Sequence, residues 1–178
     1  VAFVQCAGSR DENHLRHCSG VCCTATLKQV RYVREQHPEA EILVFYIDIR
    51  SPGRLEDFFT ETQKDERLKL IKGKVAKIEE GEGDNSLRVI AEDTLNGKLV
   101  REEVDLVVLA TGMVPNVPKM NGTLIGDEHG FMVLEGQIPG IIPTGTVRRP
   151  VDVAESLRDA TAAAMKSISV LYARQNNG

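Results

Sequence analysis

Cys6, Cys18, Cys22 and Cys23 are all the cysteines of this 178-residue chain, and they fall within its first 23 residues as C-x11-C-x3-C-C. Thiolates are soft ligands, and four of them converging from several directions suit an iron–sulfur cubane. The adjacent pair Cys22–Cys23 departs from the C-x2-4-C pairs usual at tetrahedral zinc. No CxxC redox dithiol is present. The residue types alone leave four readings open: an iron–sulfur cluster, a zinc site, a redox disulfide, or buried thiols that only fill space. His14 and His17 flank the same stretch, but four thiolates complete a cluster without them.

The elements that must position these thiols follow from the pattern around them. VAFV, at residues 1–4, is a β-branched and aromatic run that gives way to a polar stretch, so it reads as a strand feeding a loop. Residues 21–36 keep rough helical spacing through Val21, Ala25, Leu27, Val30 and Val33, with Pro38 closing the segment. EILVFYIDI, at 41–49, is nearly all apolar, as a strand buried on both faces of a parallel sheet would be. Strand, loop, helix and strand make a βαβ unit of Rossmann type. Its first turn lacks the G-x-G-x-x-G that lets a pyrophosphate approach the helix N-terminus. Specific NADH or NADPH binding is therefore not expected, although Asp48 stands where a ribose-binding carboxylate would.

Downstream, residues 54–64 form a short helix, and LKLIKGKVAKIEE, SLRVIAEDT and KLVREEVD read as antiparallel strands, with Asn96-Gly97 as a two-residue hairpin turn. DLVVLATG, at 105–112, is a second apolar strand, stopped by Pro115 and Pro118. Short strands are expected at FMVLE and GIIPTG, and a last helix over about 151–171. The whole is α/β: a Rossmann-like domain with an antiparallel meander.

The net charge of −4 and pI near 5.6 provide no field to gather polyanions, which argues against nucleic-acid binding. The mean hydropathy of −0.20 and the lack of a long apolar run argue against membrane insertion. The sequence starts VAFVQCAGSR, without an initiator Met and without the layout of a signal peptide, so we expect a fragment of a larger cytoplasmic protein. In that compartment clustered cysteines more often serve metal or redox chemistry than structural disulfides.

VAFVQCAGSRDENHLRHCSGVCC, with TLKQV, EILVFYIDIR, EDTLNG, DLVVLATGMVPN and GTVRRPVDVAES, resembles the A-type flavoprotein component of heterodisulfide reductase. It is most similar to the related flavoproteins of the quinone-interacting membrane-bound oxidoreductase complex of sulfate reducers. The resemblance covers almost the whole chain and implies a thioredoxin-reductase-like fold. It implies that Cys6, Cys18, Cys22 and Cys23 hold an atypically ligated 4Fe-4S cluster. It implies a degenerate NAD-binding-like domain at 1–115 and the C-terminal segment of an FAD-binding domain at 116–178, with the first FAD-binding half preceding Val1. FAD would then lie beside Ala110, Thr111 and Gly112 and near Gly145, Thr146 and the helix start at Val153. In many relatives of the wider class Asp follows the glycine, where this chain has Thr146.

The expected function is an electron-transfer flavoprotein fragment of a heterodisulfide reductase-like or quinone-interacting complex, docking on other subunits and reaching the membrane only through them. The fragment is not expected to be catalytic alone. The alternative from another class is a cofactor-free or zinc-binding Rossmann-like scaffold. Arg148 and Arg149 read first as solvated charges, and EEGEGD at 79–84 as an exposed hairpin tip.

Overall fold

A computed structural model describes residues 1–83, 85–117 and 124–176. The chain divides into two compact units: Val1–His14 with Cys22–Gly112, and Leu15–Val21 with Met113–Gly178.

The first unit holds β1 (Ala2–Val4), α1 (Cys22–Gln36), β2 (Ile42–Tyr46), α2 (Leu55–Thr62), β3 (Leu68–Lys72), β4 (Val75–Glu80), β5 (Leu87–Asp93), β6 (Lys98–Val104) and β7 (Val107–Leu109). One sheet runs in the order β3-β2-β1-β7, with every neighbouring pair parallel. The other is the antiparallel meander β4-β5-β6. Side-chain alternation sorts the parallel strands between two cores. Ala2, Leu43, Phe45 and Ile71 pack with Val89, Ala91 and Val104 of the meander. Phe3, Ile42 and Val44 pack with Val30 of α1. Each large apolar side chain buried in this way contributes roughly 1.5–3 kcal/mol relative to exposure. These cores hold the strand ends, and hence the loops that follow them, in place.

Four sequence expectations change. LKLIKGKVAKIEE is not one antiparallel strand: β3 pairs in parallel with β2 and β4 joins the meander. The break falls at Gly73, whose N–H donates to the Tyr46 carbonyl and where an added Cβ would lie 1.8 Å from the Glu92 carbonyl oxygen. The β5–β6 turn spans four residues, because Asp93 pairs with Lys98. There the Asp93 carboxylate accepts from the Leu95 and Asn96 amides and from the Asn96 side chain, an Asx arrangement that replaces the two-residue hairpin. The strand in DLVVLATG is confined to Val107–Leu109. FMVLE contributes only an isolated bridge, Met132 with Gly126, and GIIPTG ends in a 3-10 turn, Gly145–Val147. Pro118 and Asp84 lie outside the described residues.

In the second unit, α3 (Val153–Asn176) runs five residues beyond the expected end and has no buried residue. Asp152 caps it: its Oδ1 accepts from the Glu155 amide, and its carbonyl accepts from Ser156. Phe131, Met132 and Val151 are buried, and the Met132 N–H donates to the Val147 carbonyl.

Candidate functional site

In open parallel sheets ligands sit beyond the carboxyl ends of the strands, at the point where strand order reverses. Here β1 has β2 on one side and β7 on the other, which makes its carboxyl end that point. The ladder of backbone amides continues past the strand ends: Gln5 donates to Phe45, Ala110 to Val4, and Ala7 to Ala110. Between them Cys6 is buried and takes a left-handed backbone conformation, φ 55°. A non-glycine residue held there stores on the order of 1–2 kcal/mol of strain. A Cβ on Gly8 would lie 2.4 Å from the Thr111 carbonyl oxygen, so the turn after β1 lies directly against the residues after β7. Cys6 and the Ala110–Thr111–Gly112 stretch are thereby neighbours, with Gly112 turning the chain at φ 114°.

Charge is concentrated at the same edge. The Asp48 carboxylate, just beyond β2, accepts from Arg10 at 2.7 Å and lies 3.4 Å from Arg50. Burial alone would raise its pKa, but the hydrogen bond and charge of Arg10, with Arg50, outweigh burial and hold it below the usual carboxylate range. Asp48 is thus committed to guanidinium groups. Burial opposes the charge on Arg10, while Asp48 and then Cys6 favour it, for a net upward shift. A guanidinium beside a thiol favours the thiolate, the form that binds metal.

Cys22 and Cys23 open α1. Cys23 is buried and its thiol donates to the Asp48 carbonyl at 3.7 Å. Cys18 belongs to the second unit, where its sulfur accepts the Gly20 N–H at 3.4 Å. None of the four thiols is in a disulfide. In kind the donor set fits a soft, thiolate-bound metal centre: four thiols, a guanidinium beside one, a helix start under two, and a backbone donor on the fourth. Among the described residues, however, no group of three or more His, Cys, Asp or Glu side chains is gathered to hold a metal ion.

In the second unit Gly145 is buried at φ 63°, and a Cβ there would come within 3.6 Å of Ser156 on α3. Gly145 therefore meets the first turns of α3, while Thr146 and Val153 are exposed. Arg149 pairs with Glu155 at 3.2 Å and Asp159 at 3.1 Å, and Arg148 reaches Asp159 at 3.5 Å. The arginine pair makes these ion pairs with α3 while both side chains stay partly exposed to solvent. His17 is engaged within the second unit: its Nε2 bonds the Met113 carbonyl, and its ring packs on His129 and Phe131. Sequence reasoning missed Arg10 and Gln5. Arg10 is one polar residue among many in its loop, and Gln5 continues a strand run where its burial could not be read.

The fold is Rossmann-like and resembles that of thioredoxin reductase. Thioredoxin reductase from T. acidophilum superposes with a TM-score of 0.63 at 18% identity, over 96% of this chain and 52% of that one. By sequence, nearly the whole chain is similar to part of the A-type subunits of heterodisulfide reductases. It is 35% identical to the second A-type iron-sulfur subunit of the CoB--CoM heterodisulfide reductase of Methanopyrus kandleri, over 97% of this chain and 28% of that protein. It is also 35% identical to the A-type subunit of the ferredoxin:CoB-CoM heterodisulfide reductase of Methanosarcina acetivorans, over 94% of this chain and 22% of that protein. The chain thus spans about a quarter of the length of these relatives. No family model matches it. Among the described residues no helix is long and apolar enough to cross a membrane.

Proposed function

We propose that this chain is an electron-transfer segment of a heterodisulfide reductase-like flavoprotein, in which Cys6, Cys18, Cys22 and Cys23 hold a 4Fe-4S cluster. The observation that carries the reading is the replacement at the sheet's switch point. Where a nucleotide-binding domain has a glycine turn, this chain has a strained cysteine beside a half-buried arginine. A cluster bound there supplies one-electron transfer. The protein's part is to supply thiolates, favoured by Arg10 at Cys6, and a backbone N–H on the Cys18 sulfur. Coordination would draw together side chains that are not gathered as they stand, so cluster binding orders the cysteine stretch.

FAD is the second cofactor of this reading, completed by sequence outside the chain. Ala110, Thr111 and Gly112 would line it from the first unit, and Gly145, Thr146 and Val153 from the second, where the α3 N-terminus favours negative charge on a reduced flavin. The relatives' names describe subunits of larger reductases, which supports docking on partner subunits; the reading extends to the related quinone-interacting complex and to the cytoplasm as its setting. The turn after β1 lies against Thr111, which supports the reading that NADH and NADPH have no specific site. Anaerobic reconstitution with iron and sulfide tests the proposal. Close to four irons and four acid-labile sulfides per chain, with broad absorbance near 400 nm lost in a Cys22→Ser, Cys23→Ser variant, are expected. Zinc without sulfide would overturn it in favour of a scaffold.

A further inference from the structure

Gln5 is 2% exposed, and among the described residues both polar atoms of its side chain, Nε2 and Oε1, are buried without a hydrogen-bond partner. A buried amide left unpaired is destabilising, whereas an apolar side chain of the same shape carries no such penalty. Alternation fixes the face on which it lies. Ala2 enters the core shared with the meander and Phe3 the core shared with α1, so Gln5 falls on the α1 face. Along α1 the buried residues Val30, Leu27 and Cys23 form one stripe at helical spacing. Phe3 packs with Val30. In a βαβ unit the helix runs antiparallel to its strand, so two residues further along the chain from Phe3 the stripe has advanced toward Leu27 and Cys23. Gln5 is therefore placed next to Cys6 in the chain, on the α1 side of the sheet.

We propose that the Gln5 amide is a positioning and tuning residue of the cysteine site, its Nε2–H donating to a sulfur of the bound cluster or of its cysteine ligands. The inference rests on the cluster reading above and adds a residue to it. A hydrogen bond to sulfur stabilises the reduced, more negative cluster and so raises its potential.

The test compares wild-type chain with Gln5→Met, which keeps length and volume without donors, and Gln5→Leu. Without the cluster, both variants should melt above wild type, because the orphaned amide is gone. After anaerobic reconstitution both should bind the same iron and sulfide, with a midpoint potential shifted to more negative values in an EPR-monitored redox titration. Unchanged potentials in both loaded variants would overturn the role of Gln5 while leaving the cluster intact. If wild type takes up no iron and sulfide, the cluster reading fails and this inference fails with it. Cluster-free variants melting below wild type would show that the amide is satisfied within the protein, which also overturns it.

Discussion

The two units spend their apolar residues differently. In the first, β2 and the strands beside it bury Ile42, Val44 and Phe45 completely, and every member of both hydrophobic cores belongs to this unit. In the second, a 24-residue helix buries nothing, and Leu157 and Leu171 are 65% and 60% exposed. One unit is held by packing. The long helix of the other is held by local devices: a run of alanines at 162–164, the Asp152 cap, and ion pairs to Arg149 and Arg158. Such devices are each worth about 1 kcal/mol or less, so the same truncation should have very different effects in the two places. Phe45→Ala removes a fully buried ring and should destabilise the first unit by about 3–5 kcal/mol. Leu157→Ala on α3 should change stability by no more than about 0.5 kcal/mol. Urea denaturation followed by circular dichroism measures both, and equal losses would break the comparison.

A smaller effect probes the carboxyl edge of the parallel sheet. Gly8→Ala would place a methyl 2.4 Å from the Thr111 carbonyl oxygen, a backbone atom held by the continued β1–β7 ladder. We expect a loss of about 1–3 kcal/mol, the usual range for forced overpacking. At the neighbouring Cys6 the order reverses, since its left-handed conformation favours glycine. Cys6→Gly should be more stable than Cys6→Ala, by on the order of 1 kcal/mol, in thermal melts of the metal-free chain.

How much of this could be read in the sequence follows from the same contrast. β2 was legible because burial on both faces leaves an unbroken apolar run, and α1 because its stripe and Pro38 bound it. The parallel pairing of Leu68–Lys72 was not legible: its alternation is the same in either direction, and only Gly73, pressed against Glu92, separates it from β4. The four cysteines were legible as a set by type and spacing. The Arg10–Asp48 pair and the buried amide of Gln5 were not, because they depend on which loop residues the strand ends bring together. α3 was readable as a helix, but its exposure was not, since its apolar residues keep the same spacing whether or not they are covered.

The cap of α3 tests how the second unit holds its helix. Asp152→Ala removes the acceptor for the Glu155 amide, at 2.8 Å, and should cost the helix about 1 kcal/mol. Since no buried residue of α3 ties it to a core, the loss should appear as faster amide exchange over the first turns of α3, with the melting of the first unit unchanged. A matching fall in the stability of the first unit would mean that α3 is not held locally.

The smallest effect separates the units by pH. In the first unit Arg34 grips Asp65 with two hydrogen bonds, Nε to Oδ2 at 2.9 Å and Nη2 to Oδ1 at 3.2 Å, and it also donates to the Pro38 and Ala40 carbonyls. Burial would raise the Asp65 pKa, but the Arg34 hydrogen bond and the Arg67 amide outweigh it, so the folded value is depressed. A depressed carboxylate contributes stability that is present above the unfolded pKa, near 3.9, and is lost as pH falls through the folded value. Asp65→Asn keeps an acceptor for the Arg67 amide and removes only the charge. It should cost somewhat under about 1 kcal/mol at pH 7, and the gap from wild type should close between about pH 5 and pH 2. On α3, hydrogen bonds from Arg158 and then Arg149 also lower the Glu155 pKa, but that pair is open to solvent and screened. Glu155→Gln should therefore leave the pH dependence of stability unchanged at about 0.15 M salt. A gap for Asp65→Asn that persists at pH 2 would mean that the pair acts through shape alone, and the first unit would then owe nothing to its charges.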